Sequence, residues 1–215
     1  MHIKRKTMPK FWPIQRTGTK YLAVATHEKR NSMPAIIVVR DLLKLVKNQK
    51  EMQMLINEKK IEINGKVIRN MRYPLMLFDC LTFPSIKKHY RVGLKNKKFA
   101  LEEIKEAESR QKIHKVEGKK IISGKKVQIN LSGGKNLLTP EKINVGDFIV
   151  LSNDNKILKI ITLKKDSEII VIKGKHIGKE GKIKNITKAG EDTMATIEGK
   201  EGELKININN IFAKA

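Results

Sequence analysis

The side chains of this sequence that could do chemistry are cations able to bind phosphate. Arg40, Arg69 and Arg72 each carry a planar guanidinium that can fork onto phosphate oxygens, whereas a lysine acts as a point charge. They belong to an excess of 46 Lys and Arg over 22 Asp and Glu, a formal net charge of +24. Because 40% of the residues are hydrophobic, we expect a folded chain that attracts a polyanion, most commonly nucleic acid.

Sequence patterns typical of catalysis or metal binding are missing. Asp79, Asp147 and Asp192 are isolated carboxylates without a nucleophile or base signature around them. The single cysteine, Cys80, stands near apolar residues, which predicts a buried and unreactive thiol. The five histidines have no i, i+4 pairing of the kind that helical metal ligands use. We therefore predict that the protein is not an enzyme and uses no cofactor, metal ion or small-molecule substrate.

Apolar runs in the sequence are short. The longest are of the kind formed by residues 35–39, far below the ~18–20 residues that cross a bilayer. The N-terminus also lacks the apolar core of a signal peptide. These features predict a soluble cytoplasmic protein without a membrane partner.

Residues 1–34 are predicted to form a basic extended arm. Prolines and a glycine in this segment oppose helix formation, and residues 1–27 carry six Lys and Arg but no acid. Phe11 and Trp12 interrupt the basic run and leave two interpretations open. They are either a hydrophobic tether that pins the arm to the body, or a platform on which an RNA base stacks.

Residues 35–84 are predicted to form a helix–turn–helix–hairpin domain. Apolar residues recur at helical spacing from Ile36 to Val46, which places three cations on one polar face of the first helix. These cations are Arg40, Lys44 and Lys47. A charged helix face is often merely solvated, but the positive excess of the chain favours phosphate contact here. Asn48 with Glu51 predicts the start of a second helix, and Asn64-Gly65 predicts a two-residue hairpin turn.

The remainder of the chain is predicted to consist mainly of strands. Short apolar alternations separated by turns indicate a central barrel-like β domain over 85–168 and a second small barrel over 169–215. Within the second barrel, Gly174, Gly178 and Gly181 predict tight turns or the close approach of another backbone. The predicted fold class is α+β with several domains.

Acidic residues gather near the C-terminus. They are Glu191, Asp192, Glu198, Glu201 and Glu203. A polyanion would be repelled by this stretch, so we expect the stretch to point away from the binding surface.

Six stretches of the sequence together form a recognisable pattern: Pro9–Trp12, His27–Pro34 leading on through Arg40, Ile63–Val67, Tyr73-Pro74, Lys173-Gly174 with Ile177–Gly181, and Asn209–Phe212. Through these stretches the sequence resembles the archaeal- and eukaryotic-type (e-type) family of small-subunit ribosomal protein 4 over nearly its whole length. The resemblance implies an RNA-binding helix–hairpin domain, a family-specific central β domain and a C-terminal SH3-like barrel of the KOW type. It also implies a structural constituent of the small ribosomal subunit whose partners are small-subunit rRNA and neighbouring ribosomal proteins.

The candidate RNA-binding residues are the cations of these segments together with Trp12. They are Lys4, Arg5, Lys6, Lys10, Trp12, Arg16, Lys29, Arg30, Arg40, Lys44, Lys47, Lys66, Arg69, Arg72, Lys173, Lys175, Lys179 and Lys182. The candidate structural turn residues are Gly65, Gly174, Gly178 and Gly181. Two alternative functions share these modules, an RNA-modifying enzyme such as a pseudouridine synthase and a transcription elongation factor. The first would need a Gly-Arg-Leu-Asp-like segment that the sequence lacks, and the second class lacks the basic arm and the helix–hairpin.

Overall fold

The computed structural model describes residues 2–122, 126–141, 143–189, 192–199 and 202–213. The chain divides into two compact units, Met1–Lys112 and Ile113–Ala215. Most of the regular structure is strand, and the described helices are short, so the helical share is smaller than the sequence predicted. None of the described helices is long and apolar enough to span a membrane.

The N-terminal segment is part of the first unit and is not a free arm. Strands β1 (His2–Lys4) and β2 (Tyr21–Ala23) pair with each other in antiparallel register. Met8, Trp12 and Leu22 are buried in the same apolar cluster as residues 35–39. The apolar side chains of the segment therefore help to complete the core of the first unit, and the domain boundary at residue 34 stays a prediction.

The first predicted helix is shorter than the apolar pattern suggested. After β3 (Met33–Pro34), helix α1 (Ala35–Ile37) widens into a π-helical turn over Val38–Leu42. The amide of Leu43 donates to the carbonyl of Val38 at 3.0 Å, a bond five residues back, and Lys44 then adopts a left-handed φ of 54°. The predicted polar face of Arg40, Lys44 and Lys47 is therefore wrong, because the helix ends before it reaches Lys44.

The second predicted helix is confirmed as α2 (Gln49–Asn57). The Asn48 side chain accepts a hydrogen bond from the Glu51 amide at 3.0 Å. The Glu51 carboxylate in turn accepts from the Lys47 amide at 2.7 Å. These bonds satisfy backbone donors that the first turn of a helix leaves unpaired, so the local sequence determines where this helix begins.

A five-stranded antiparallel sheet follows the helices in the first unit. Its order is β5-β4-β7-β8-β9. The strands are β4 (Glu62–Ile63), β5 (Lys66–Val67), β7 (Cys80–Phe83), β8 (Lys88–Lys95) and β9 (Lys98–Glu103), while β6 (Pro74–Leu75) pairs with β3. The turn between β4 and β5 is Asn64-Gly65, with φ of 50° and 73°, which confirms the predicted hairpin and the role of Gly65. Because β7 pairs with β8, the sheet continues across the boundary that was predicted at residue 84.

The first sheet of the second unit has the order β12-β11-β10-β13-β14. Its strands are β10 (Gln111–Ile122), β11 (Lys126–Leu131), β12 (Lys135–Thr139), β13 (Phe148–Ser152) and β14 (Ile157–Ile161), and β10 follows the short helix α3 (Glu106–Ser109). Val116, Ile129, Ile143 and Ile149 form the centre of its apolar cluster. The alternating residues of this region therefore form strands, as the sequence predicted.

The second sheet of this unit has the order β18-β17-β16-β15-β19. Its strands are β15 (Glu168–Val171), β16 (Glu180–Ala189), β17 (Asp192–Gly199), β18 (Gly202–Asn207) and β19 (Ile211–Ala213), with a 3₁₀ turn over Ile208–Asn210. A separate apolar cluster, which includes Ile169, Ile183 and Ile197, packs beneath it. Both sheets belong to one compact unit, and the predicted domain boundary at 168/169 stays a prediction.

Two of the three predicted turn glycines of the last sheet, Gly174 and Gly178, have a backbone conformation that glycine favours, whereas Gly181 lies within strand β16. Gly174 and Gly178 adopt left-handed φ values of 95° and 83°, which side chains rarely tolerate. Gly181 has no such φ, but a Cβ atom there would lie 2.5 Å from the backbone oxygen of Glu198 on β17. Gly174 and Gly178 thus shape the turn before β16, and Gly181 lets two strands approach closely.

Candidate nucleic-acid interface

Two loops of the first unit lie side by side and form the clearest candidate interface. The Thr26 amide donates to the Arg72 carbonyl at 3.1 Å. The rings of His27 and Tyr73 meet edge to face with 5.7 Å between their centroids. The Tyr73 carbonyl accepts from the Ala35 amide at 2.9 Å at the start of α1. We call residues 26–31 and 69–73 together the two-loop surface.

The two-loop surface carries four cations and one acid, Glu28. Lys29, Arg30 and Arg69 are exposed, and Arg72 is half-buried. The acid is held within its own loop, because the Glu28 carboxylate accepts from the Asn31 amide group at 2.9 Å. The structure thus brings the loop with Lys29 and Arg30 beside the loop with Arg69 and Arg72, although the two pairs lie 39 or more residues apart in sequence. The four positive charges exceed the single negative charge of Glu28.

The backbone of both loops is fixed by short-range hydrogen bonds. The Ser32 hydroxyl donates to the Glu28 carbonyl at 2.6 Å, and Glu28 itself has a left-handed φ of 45°. In the other loop, the Asn70 side chain accepts from the Arg72 amide at 2.8 Å. Cations on such ordered loops lose less conformational entropy on binding than cations on a free chain do.

Trp12 does not form an exposed platform for a base. Its side chain is only 2% exposed, and its indole N–H donates to the Ser32 carbonyl at 3.2 Å. Phe11 packs partly buried against Phe99, with 4.6 Å between ring centroids. The structure therefore supports the tether interpretation and removes Trp12 from the candidate RNA contacts.

Two of the predicted arginines are engaged by the protein itself. The guanidinium of Arg5 donates to the carbonyls of Gln15 and Thr19 at 2.7 Å each, so it holds the loop before β2. The guanidinium of Arg40 forks onto Asp41 with two contacts of 2.9 Å, and this hydrogen bonding raises the pKa of Arg40. Neither arginine presents an unoccupied fork to phosphate, contrary to the prediction.

Most other predicted cations of the first unit are exposed. They are Lys4, Lys6, Lys10, Arg16, Lys44, Lys47 and Lys66. The sequence does not indicate which of them is the better candidate for RNA binding. None of them belongs to the two loops that the hydrogen bond between Thr26 and Arg72 joins. They remain predicted contacts.

The glycine turn before β16 presents a second basic surface, in the second unit. Lys173 and Lys175 are exposed, and Lys179 is half-buried. Lys182 is also exposed, but it pairs in register with Glu168 on β15 and with Glu198 on β17. Opposite charges at such cross-strand positions attract each other, so Lys182 is a weaker candidate than Lys173 or Lys175.

The acidic stretch near the C-terminus is partly used within its own sheet. Glu203 forms an ion pair with Lys184, and hydrogen bonding to Lys184 lowers the pKa of Glu203. Glu191 and Glu201 lie outside the described residues. Where this stretch points relative to a polyanion therefore stays a prediction.

One relevant residue of the second unit was missed by sequence reasoning. Lys115 on β10 donates through its ammonium group to the Ile208 carbonyl at 3.0 Å and lies 5.9 Å from the centre of the Phe148 ring. Ile208 begins a 3₁₀ turn that ends at Asn210. The Asn210 carbonyl accepts a hydrogen bond of 2.8 Å from the Ile172 amide, which lies next to the glycine turn. Lys115 thereby anchors the turn that supports Lys173, and nothing in the alternation of β10 distinguishes it from a solvated lysine.

Burial lowers the pKa of Lys115, and the nearby charge of Lys173 lowers it further, against an opposing effect of Glu117. A lysine whose pKa is lower in the folded than in the unfolded protein binds fewer protons when folded. Its contribution to stability therefore increases as the pH rises from the lowered pKa towards the ordinary value of 10.5.

We expect Lys115→Met to remove this rise. Urea titration at several alkaline pH values gives the free energy of unfolding of both proteins. We expect the wild type to become more stable relative to the variant as the pH increases. A difference independent of pH would contradict the assignment. Lys119→Met on the exposed part of β10 serves as the control.

Two buried polar groups of the first unit, Asp79 and Cys80, lie at the sheet that contains the Asn64-Gly65 hairpin. Asp79 pairs with Lys112 and accepts from the Asn64 side chain at 2.9 Å and the Met76 amide at 2.7 Å. Burial raises the pKa of the Cys80 thiol, which keeps it protonated. Among the described residues, no three His, Cys, Asp or Glu side chains cluster as metal ligands would.

Comparison with known proteins relates this chain to a ribosomal protein family. A profile described as "Ribosomal family S4e" matches residues 86–158. The small ribosomal subunit protein eS4 of Methanosphaera stadtmanae is 32% identical over 98% of this chain and 90% of its own length. The eS4 protein of Methanocella arvoryzae is also 32% identical, over 98% of this chain and 92% of its own.

A solved structure supports the same conclusion for the fold. The 30S ribosomal protein S4e of Thermoplasma acidophilum superimposes with a TM-score of 0.71, covering 86% of this chain and 95% of that chain at 24% identity. The agreement in sequence extends over nearly the whole chain, and the agreement in structure over most of it. The chain therefore belongs to the ribosomal S4e family.

Proposed function

We propose that this protein is a structural constituent of the small ribosomal subunit that binds small-subunit rRNA and contacts neighbouring ribosomal proteins. Its relatives are named as small ribosomal subunit proteins, which favours this function over an RNA-modifying enzyme or a transcription elongation factor. The proposal includes no catalysis, and it places the protein in the cytoplasm with the ribosome. The observation that carries it is the two-loop surface.

On the two-loop surface, the cations would replace counterions condensed along the RNA backbone. Each phosphate neutralised in this way makes the affinity more dependent on salt. Arg69 and Arg72 supply guanidinium groups with fixed fork geometry, and Lys29 and Arg30 add charge from the neighbouring loop. The hydrogen bonds between Thr26 and Arg72 keep the two loops in register, so recognition would follow the shape of the RNA rather than its base sequence.

The modules of the chain are proposed to divide this binding among them. The helices and the hairpin at Gly65 would belong to the RNA-binding domain over residues 35–84, and residues 85–168 would form the family-specific β domain. Residues 169–215 would form an SH3-like barrel of the KOW type. The strand order β18-β17-β16-β15-β19, with a 3₁₀ turn before the last strand, supports that assignment. Lys173 and Lys175 on its glycine turn would form a second rRNA contact.

The double variant Arg69→Ala/Arg72→Ala tests the two-loop surface. We expect the slope of log affinity against log salt for small-subunit rRNA to fall by about 2, because two phosphate contacts are lost. The measurement is a filter-binding titration at several salt concentrations, with a non-ribosomal RNA as competitor.

A matched control removes the same charge elsewhere. Lys60→Ala/Arg110→Ala deletes two exposed cations that are already paired with Glu58 and Glu106. Equal losses in the two double variants would mean that net charge alone determines binding, and the two-loop surface would then not be the interface. Wild-type protein that fails to sediment with small subunits would contradict the proposed function as a whole.

A further inference from the structure

The turn between β8 and β9 concentrates positive charge at the tip of a hairpin. Residues 95–98 are Lys-Asn-Lys-Lys, and all four are exposed. Lys95 and Lys98 stand directly opposite each other in the register of the two strands. Like charges at directly opposed positions destabilise a hairpin, so the free protein carries an unfavourable charge pair at this tip.

The backbone of the same turn is also strained. Asn96 and Lys97 adopt left-handed φ values of 50° and 62°, the conformation of a two-residue turn that favours Asn-Gly. Asparagine tolerates this conformation, but lysine does so at a cost, because its Cβ atom crowds the backbone. Lys97 thus occupies the position at which glycine is preferred.

The other two-residue hairpin of the same sheet shows that the chain can avoid this strain. Between β4 and β5 the turn is Asn64-Gly65, with the same left-handed conformation at both positions. The β8–β9 turn differs by having a lysine in place of that glycine. Lys97 therefore keeps a cation in this turn at a conformational cost that a glycine would avoid.

A further cation belongs to this region. The Phe99 amide at the start of β9 donates to the Phe11 carbonyl at 2.8 Å, and the rings of Phe11 and Phe99 pack together. The N-terminal segment therefore runs beside β9, and the exposed Lys10 immediately precedes the contact. Lys10, Lys95, Lys97 and Lys98 form what we call the lysine tip.

We propose that the lysine tip is a phosphate-binding contact for the RNA backbone, separate from the two-loop surface. The inference rests on the proposed function and extends it to a site outside the helix–hairpin module. Phosphate groups placed at the tip would offset the repulsion between Lys95 and Lys98. Lys97 lies in the turn beyond the last paired residues, Lys95 and Lys98, so it adds an exposed cation at the end of the hairpin.

The variant Lys97→Gly tests the lysine tip, because it removes the cation and the strain together. Without RNA, we expect its thermal midpoint to rise by about 2 °C relative to wild type, since glycine accepts the left-handed conformation. In binding to small-subunit rRNA, we expect the salt slope to fall by about 1. The ratio of wild-type to variant affinity should therefore shrink about threefold to fourfold between 50 and 200 mM salt.

Lys59→Gly is the matched control. Lys59 is exposed, follows α2 and has a φ of 56°, so its replacement removes one cation and one strained residue in the same way. We expect the same gain in thermal midpoint but an rRNA affinity within twofold of wild type. A second tip variant, Lys97→Asn, should reproduce the loss of salt slope with a residue that tolerates positive φ.

The outcomes separate the inference from the function on which it rests. If wild type prefers rRNA over the competitor and Lys97→Gly binds as tightly as Lys59→Gly at every salt concentration, the lysine tip is not a contact. If Lys97→Gly is no more stable than wild type while Lys59→Gly is, the argument from strain is overturned. If wild type shows no preference for rRNA, both the proposed function and this inference fail.

Discussion

Replacing Trp12 by alanine is expected to lower the free energy of unfolding by about 3–5 kcal/mol. The side chain is buried in the core of the first unit together with Met33, Ile36 and Leu75, and its indole N–H is bonded to the Ser32 carbonyl. The truncation would leave a large cavity and an unpaired carbonyl. Urea titration followed by far-ultraviolet circular dichroism measures the change without relying on the fluorescence of Trp12, the single tryptophan.

Two further variants separate packing from charge at the N-terminus. Trp12→Phe keeps most of the apolar volume and should cost clearly less than Trp12→Ala, whereas Lys6→Ala at an exposed position should change stability by less than about 0.5 kcal/mol. Removal of residues 2–20 should destabilise the first unit, because it deletes both Met8 and Trp12 from the core. A truncated protein as stable as wild type would show that this segment is only an appendage.

The buried ion pair between Asp79 and Lys112 predicts the second large effect. The two side chains are 2% and 12% exposed, and Asp79 also accepts from the Asn64 side chain and the Met76 amide. Asp79→Ala would leave a buried ammonium group without a partner, and we expect it to lower the free energy of unfolding by about 3–5 kcal/mol.

The double variant Asp79→Ala/Lys112→Met distinguishes the lost pair from the lost volume. Replacing a buried ion pair by apolar groups often lowers the free energy of unfolding only slightly. The double variant should therefore recover most of the stability that Asp79→Ala loses. Urea titration of the wild type and the three variants gives the coupling energy directly. A double variant that is as unstable as the sum of the two single variants would show that the pair contributes no coupling.

Features encoded by neighbouring residues were predictable from the sequence. The start of α2 follows from Asn48 and Glu51, since side chain and backbone bond within four residues. The Asn64-Gly65 turn and the glycines 174 and 178 follow from the backbone conformations that few other residues adopt. Such signals depend on local geometry, so no knowledge of the tertiary structure was needed to find them.

The end of the first helix was not predictable in this way. Ile36 to Val46 keep a helical apolar spacing, yet the helix widens at Val38 and Lys44 turns left-handed. Residues 35–39 are all fully or almost fully buried, which means that contacts on every side, rather than one amphipathic face, decide their conformation. Periodicity reports a single buried face and therefore overestimates the length of this helix.

The candidate interface illustrates the same limit for individual charges. The sequence identified the cations, but Arg5 and Arg40 are bound by the protein, and Lys115 is half-buried and bonded to the Ile208 carbonyl. The sequence does not show whether a cation faces solvent or is bonded to the protein, because its bonding partner can lie far along the chain. Thr19, the partner of Arg5, is 14 residues away, and Ile208, the partner of Lys115, is 93 residues away.

By itself, the sequence determined that this protein is a basic, folded, polyanion-binding chain, and its motifs indicated the ribosomal S4e family. Charge and composition are sums over residues, and motifs are local, so neither depends on how the chain packs. Only the tertiary structure decided which cations form a surface. It brought the loop that carries Arg30 beside the loop that carries Arg72 through the hydrogen bond from Thr26 to Arg72. It also buried Trp12 and placed Lys97 at a strained hairpin tip. These results depend on contacts between residues that are distant in sequence. Such contacts form, and contribute their free energy, only when the whole core is assembled.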